Sequence, residues 1–132
     1  MKALLYLRLL ADDQTIVYGN PVLEGLKKQL PDVAVLDVDS RSGELVLHYA
    51  KQLLQGSEQV IVCIDSASAD AGFGSVFPLI ELVLEGQKEQ LIVFRNDHGR
   101  LQRMVQARSE LKMKVVQDDI DLMPVVAGFL FT

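Results

Sequence analysis

The chain contains no tryptophan, a single cysteine (Cys63) and only two histidines, His48 and His98, far apart in the sequence. One thiol cannot close an intramolecular disulfide, and His and Cys positions this sparse have no metal-ligand spacing, so a zinc or iron–sulfur site is not expected. Long apolar runs are missing too. The stretch Val60 to Ile64 is typical of the longest, whereas crossing a bilayer takes about 20 residues. The opening is apolar from Ala3 to Leu7 after Met1-Lys2, but Arg8 interrupts it and no small-residue cleavage motif follows. The reading is therefore no signal peptide, no membrane segment and a cytoplasmic protein. Low-complexity tracts, internal repeats and Pro/Gly/Ser linkers are absent as well, which leaves 132 residues as a single expected domain.

What is present is enough apolar material for a core. Hydrophobic residues make up 49% and charged residues 23%, a balance far from the polar, highly charged regime of disorder. The net charge of −5 argues against a general nucleic-acid binder, whose affinity rests on neutralising phosphates. The charge is unevenly spread. Between Arg95 and Lys114 six basic residues face two acidic ones, a local +4 that leaves −9 for the rest.

Two hydrophobic periods alternate along the chain. Ala3 to Leu7, Val33 to Val38, Val60 to Ile64, Leu91 to Phe94 and Met113 to Val116 are short Val/Ile/Leu-rich runs bounded by polar residues, as strands should be. Between them the spacing is helical. Asn20 before Pro21 is an N-cap with proline at the first position, followed by Val22, Leu23, Leu26 and Leu30 on one face. Ser42 is the expected cap of a second helix carrying Val46, Tyr49, Ala50, Leu53 and Leu54. A third helix runs from about Ser75 to Glu85, with Gly86 ending it. Asn96 or Asp97 is expected to cap a fourth helix with Leu101, Met104 and Val105, and a last one begins near Asp119 and holds Val125, Val126, Phe129 and Leu130. Five strands alternating with five helices imply an α/β, flavodoxin-like three-layer sandwich, its five-stranded parallel sheet in the order 2-1-3-4-5. The strands at 3–7, 60–64 and 91–94 should be interior, and the lysine-bearing strand around Met113 should be an edge.

In such sheets ligands bind beyond the carboxyl ends of the strands, where strand order reverses. The polar residues gathered there are Asp12 and Asp13, Asp37 and Asp39, Asp65, Ser66 and Ser68, Arg95 and Asn96, and Gln117 and Asp118. The loop from Asp65 to Ser75 includes Gly72 and Gly74, which allow close backbone approach, and Ser75 is placed to cap a helix whose N–H groups attract anions. It carries no GxGxxG and no Walker lysine. The helix after it is apolar almost all round, broken only by Glu81 and Glu85, so burial on more than one side is expected. Glu81 is the candidate acid–base or charge-stabilising carboxylate.

The order of these features resembles a Toll/interleukin-1 receptor (TIR) domain. Leu5 to Arg8 leading to Asp12 or Asp13 resembles that family's first strand and acidic loop. Val38-Asp39 with Gly43-Glu44 is similar to its second strand and helix start. Val60 to Ser66, followed by Ser75-Val76-Phe77-Pro78-Leu79-Ile80-Glu81-Leu82, is similar to its apolar strand and the helix opening on serine and carrying glutamate and leucine. Phe77 and Pro78 stand where the family has tryptophan and cysteine, and its arginine- and proline-containing loop is not recognisable. There is a more distant similarity to nucleoside deoxyribosyltransferases. The resemblance implies nucleotide binding, with cleavage of the N-glycosidic bond of NAD or a related nucleotide at Glu81, where a carboxylate stabilises an oxocarbenium-like state. It implies ribose contacts from Ser66 and Ser75, base packing on Phe77, and phosphate contacts from Arg8 or Arg95.

Two alternatives stand beside it. Asp12, Asp13 and Asp65 suit a receiver-like phosphoacceptor site, but Arg95 and Gln117 occupy the positions where such a site wants a hydroxyl and a lysine. The other is a non-catalytic interaction module. The apolar surplus of the third helix and of Met123 to Phe131 suggests self-association, with a homodimer as the expected assembly.

Overall fold

The computed structural model describes residues 2–11, 20–69, 71–85, 89–108 and 110–131. The elements alternate as β1 (Lys2–Leu9), α1 (Pro21–Gln29), β2 (Ala34–Asp39), α2 (Glu44–Gly56), β3 (Gln59–Ser66), α3 (Phe77–Glu85, preceded by a 3-10 turn over Gly74–Val76), β4 (Glu89–Phe94), α4 (Gly99–Gln106), β5 (Lys112–Val115) and α5 (Asp119–Leu130). The five strands form one parallel sheet in the order β2-β1-β3-β4-β5. This is the flavodoxin-like arrangement that the alternating periods predict, with β1, β3 and β4 interior and β2 and β5 at the edges.

Strand parity divides the interior into two cores. Ala3, Leu5, Leu7 and Leu9 of β1 pack with Val60, Val62 and Ile64 of β3 and with residues of α2, α3 and α4. Leu4 and Tyr6 pack with Ile61 and Cys63 and with α1 and α5. Interior strands buried on both faces read as continuous apolar runs, which is why β1 and β3 lack polar–apolar alternation.

The helix starts combine expected and unexpected chemistry. Asn20 caps α1, its Oδ1 accepting from the Leu23 N–H at 3.2 Å, and Pro21 occupies the first helical position. The cap of α2 is Gly43, which makes no side-chain cap bond, while the Ser42 hydroxyl instead accepts from the Asp39 N–H at 3.0 Å. The cap of α4 is His98, not Asn96 or Asp97: its Nδ1 accepts from the Leu101 N–H at 3.2 Å. Helix α2 also turns differently from its expected stripe. Ala50 and Leu54 are buried, whereas Val46 is exposed and Tyr49 is 54% exposed. Helix α3 buries Leu79, Ile80, Val83 and Leu84 but leaves a wet strip of Phe77, Pro78, Glu81 and Glu85, so it has one solvated side. No helix among the described residues is long and apolar enough to cross a membrane.

Candidate functional site at the carboxyl ends of the strands

On the α1/α5 face the apolar interior gives way to polar groups at the strand ends. Tyr6, one strand step inside, is almost fully buried, and its hydroxyl donates to Asp65 Oδ2 at 2.7 Å. Asn96 Nδ2 donates to Asp65 Oδ1 at 3.3 Å and to the Ser66 carbonyl at 3.2 Å. Arg8 lies beside Asp65 in the sheet register, and its Nη2 meets Asp37 Oδ2 at 2.9 Å. At the far side, Arg95 Nε meets Asp119 Oδ1 at 2.5 Å, and its Nη1 donates to the Gln117 carbonyl. Four strands and the start of α5 therefore bring Arg8, Asp37, Tyr6, Asp65, Asn96, Arg95 and Asp119 onto one side of the sheet. The order reversal between β1 and β3 lies in their midst.

The electrostatics follow from partial burial. Burial pushes the Asp37 carboxyl above its ordinary range, although the Arg8 guanidinium pulls it down. Burial likewise raises the Tyr6 hydroxyl, and Cys63 and Asp65 add to the effect. Burial works against the Arg95 cation, but Asp119 outweighs it and holds Arg95 above its ordinary value. The thiol of Cys63, sealed in the same core, is also raised by burial. Asp37 Oδ1 and Asn20 Nδ2 are buried with no partner at hydrogen-bond geometry among the described residues, an acceptor and a donor that face each other closely enough to interact. Asn20 still favours the ionised Asp37. Unmatched buried polar atoms each carry a desolvation cost of about 1–3 kcal/mol.

The remaining sequence-derived candidates lie on the other face or above the sheet. Ser66 follows the parity of Ile64 and is buried, its hydroxyl directed to the Asp97 carbonyl at 3.5 Å. Ser75 does not cap α3. Its N–H donates to the Ser40 carbonyl at 2.9 Å, and its hydroxyl donates to the carbonyls of Ser42, at 2.8 Å, and Ser40, at 3.2 Å. Its polar groups are thus committed to tying the start of α3 to the β2–α2 turn. Gly74 has φ +52°, and a Cβ there would stand 2.1 Å from the Ser40 carbonyl oxygen. Gly72 and Gly74 border a small cleft of about 190 Å³ with Leu10, Ala11, Ser40 and Arg41. Phe77 stacks on Phe73 with centroids 5.8 Å apart. Phe73 in turn lies against the His98 ring and beneath the Arg100 guanidinium. Glu81 belongs to the solvated strip of α3, on the opposite sheet face from Arg8, Asp65 and Arg95, and makes no hydrogen bond or ion pair among the described residues. Asp12 and Asp13 lie outside the described residues.

Sequence reading had not assigned Tyr6, Asn20 or Asp119 to the site. The available signal was parity: Tyr6 and Arg8 are two apart in one strand, so a polar tip on Tyr6 shares the face of Arg8. Among the described residues, no group of three His, Cys, Asp or Glu side chains is placed to hold a metal ion. No family model, no curated protein and no solved structure matches the chain.

Proposed function

We propose that the chain is a small-ligand-binding domain for nucleotide-like molecules, with the ligand at the carboxyl ends of β1, β2 and β3 on the α1/α5 face. The observation that carries the reading is the buried Asp37 Oδ1 and Asn20 Nδ2, a loosely associated acceptor and donor with no partner at full hydrogen-bond geometry among the described residues, beside Arg8 at the strand-order reversal. A carboxylate oxygen and a carboxamide N–H at one corner suit a hydroxyl that both donates and accepts, as ribose hydroxyls do. Arg8 and Arg95, paired with Asp37 and Asp119, are the cations that a phosphate would share with those carboxylates, and Asp65, held by Tyr6 and Asn96, supplies a fixed acceptor. Cleavage of an N-glycosidic bond by Glu81 is a separate step. It requires the ligand to reach over the strand ends to the α3 side.

The test is titration calorimetry of the pure protein with NAD, ADP-ribose, adenosine and nicotinamide. Saturable binding of the ribose-containing ligands, weakened at least tenfold in Asp37→Asn and Arg8→Gln, is expected. No heat with any of the four at millimolar concentration refutes the reading. A non-catalytic interaction module is favoured by one specific observation, the exposed Leu45, Val46, Tyr49 and Phe77 near the starts of α2 and α3. It becomes the better account if calorimetry is silent.

A further inference from the structure

We infer that the free edge of β5 docks an extended peptide of alternating acidic and apolar residues as a sixth strand. Strand β5 pairs with β4 on one side, and among the described residues no strand lies on its other side. Lys112, Lys114 and Val115 are exposed, so neither a helix nor a loop among the described residues covers this edge. An uncovered edge is a template for another strand, with backbone hydrogen bonds supplying affinity and alternating side chains specificity.

The register dictates which side chains the incoming strand meets. Lys112 and Lys114 pair with Leu91 and Val93, which belong to the α1/α5 core. Met113 and Val115 pair with Ile92 and Phe94, which belong to the other core. The edge is therefore cationic on one face and apolar on the other. On the cationic face a groove of about 580 Å³ opens between β5 and α5, with Leu91, Val125 and Phe129 among its lining residues and both lysines at its wall. Gly128 on α5 has open space where a Cβ would stand, which keeps the groove wide. Lys112 Nζ lies 5.7 Å from the Phe129 ring centroid, and neither lysine makes an ion pair among the described residues. In a paired strand, residues directly across share a face. The complement is thus Asp or Glu at every second position, opposite Lys112 and Lys114, with Val or Ile between them against Met113 and Val115.

A second copy of the chain is a poorer occupant. Its own β5 would oppose lysine with lysine. Its β2 has the matching alternation in Leu36-Asp37-Val38-Asp39, but Arg8 already engages Asp37 at 2.9 Å, and the Arg41 N–H engages Asp39 at 2.7 Å. The two lysines of this edge, without an ion pair among the described residues, lie in the segment Arg95 to Lys114, whose local balance is +4, and they attract an acidic segment.

The experiment uses the full chain and a fluorescein-labelled octapeptide alternating valine and glutamate, read by anisotropy and by amide chemical shifts. Saturable binding is expected, with shifts concentrated on residues 112–115 and weakening at high salt. The K112E/K114E variant, checked for an unchanged melt, should bind about tenfold or more weakly, since two ion pairs become two repulsions. The valine–lysine counterpart should ignore the wild type and bind that variant. Absence of saturable binding, binding untouched by charge reversal, or shifts away from β5 overturns the proposal. So does a concentration-dependent rise in wild-type mass that the same reversal abolishes, which identifies a second copy as the occupant.

Discussion

Replacing Gly74 by alanine probes the joint that ties two strand-end loops together, and the structure sets the size of the effect. The residue has φ +52°, a region that costs an L residue about 1–2 kcal/mol. The added Cβ would stand 2.1 Å from the Ser40 carbonyl oxygen and 3.0 Å from its carbon, contacts with backbone that cannot swing away. Ser40 is itself fixed. Its N–H donates to the Arg8 carbonyl at 2.9 Å, its hydroxyl accepts from the Leu10 N–H at 3.0 Å, and its carbonyl accepts from Ser75. Moving Ser40 aside gives up at least one of these bonds, about 1 kcal/mol each. The expected loss is therefore about 3 kcal/mol, equivalent to a fall in Tm on the order of 10 °C for a domain of this size. Urea unfolding followed by circular dichroism measures it. Gly72→Ala is the control, because its Cβ would meet nothing within 4 Å, and a change within about 0.5 kcal/mol is expected. Gly74→Asn separates the two causes: asparagine tolerates positive φ, so a full recovery there would show that conformation and not contact sets the loss. A Gly74→Ala protein within 1 kcal/mol of wild type refutes the reasoning outright.

The other expectations concern the capping histidine, the buried tyrosine, the glutamate of α3 and the terminal aromatic. His98→Ala removes the cap bond to Leu101 and the 2.7 Å contact with the Ala71 carbonyl, so a loss of about 2–3 kcal/mol is expected in denaturant unfolding. His98→Asn should recover about 1 kcal/mol of it, and equal losses would deny the capping role. Tyr6 has its folded pKa raised by burial, so its contribution is fully present below the unfolded value near 10 and drains away as pH rises beyond it. Stability measured from pH 8 to 11 should fall more steeply for wild type than for Tyr6→Phe, and parallel curves would contradict this. Glu81→Gln should leave stability within about 0.5 kcal/mol, because Glu81 is exposed and unpaired, and should abolish any release of nicotinamide from NAD. Equal release by both proteins removes Glu81 from the chemistry. Phe131 is 55% exposed at the end of α5, and a homodimer built on that surface gives twice 14.7 kDa by light scattering. Phe131→Asp should return it to monomer, and a monomeric wild type at tens of micromolar refutes the assembly.

The sheet was legible because its interior strands are unambiguous. Val60 to Ile64 has no polar face, as a strand covered on both sides requires, while Lys112 and Lys114 mark an edge. Helix α2 was less legible for a matching reason. Leu45, Val46, Leu47, Tyr49, Ala50, Leu53 and Leu54 cover so much of the helical circumference that the period alone does not choose a buried face. Packing on α3 and the sheet selects the face of Ala50 and Leu54 and leaves Tyr49 in water. The α4 cap was missed because a histidine Nδ1 can accept as an aspartate oxygen does, but only when its Nε2 finds an acceptor, and the Ala71 carbonyl is contributed by a distant loop.

The candidate site failed to resolve from sequence along a different line. Residues just after the strands share one end of the sheet, but consecutive residues of a strand point to opposite faces, so one end holds two chemically separate surfaces. Asp65 and Ser66 are adjacent in the chain, yet Asp65 meets the Tyr6 hydroxyl on the α1/α5 side and Ser66 meets the Asp97 carbonyl on the other. Arg8, Asp65 and Arg95 fall together by this rule, and Glu81, whose helix packs on the α2/α3/α4 side, falls apart from them. The binding proposed at the first surface and the carboxylate at the second are therefore independent. Any ligand binding found by calorimetry should weaken in Asp37→Asn and persist in Glu81→Gln, and a ligand that loses affinity equally in both variants must span the strand ends.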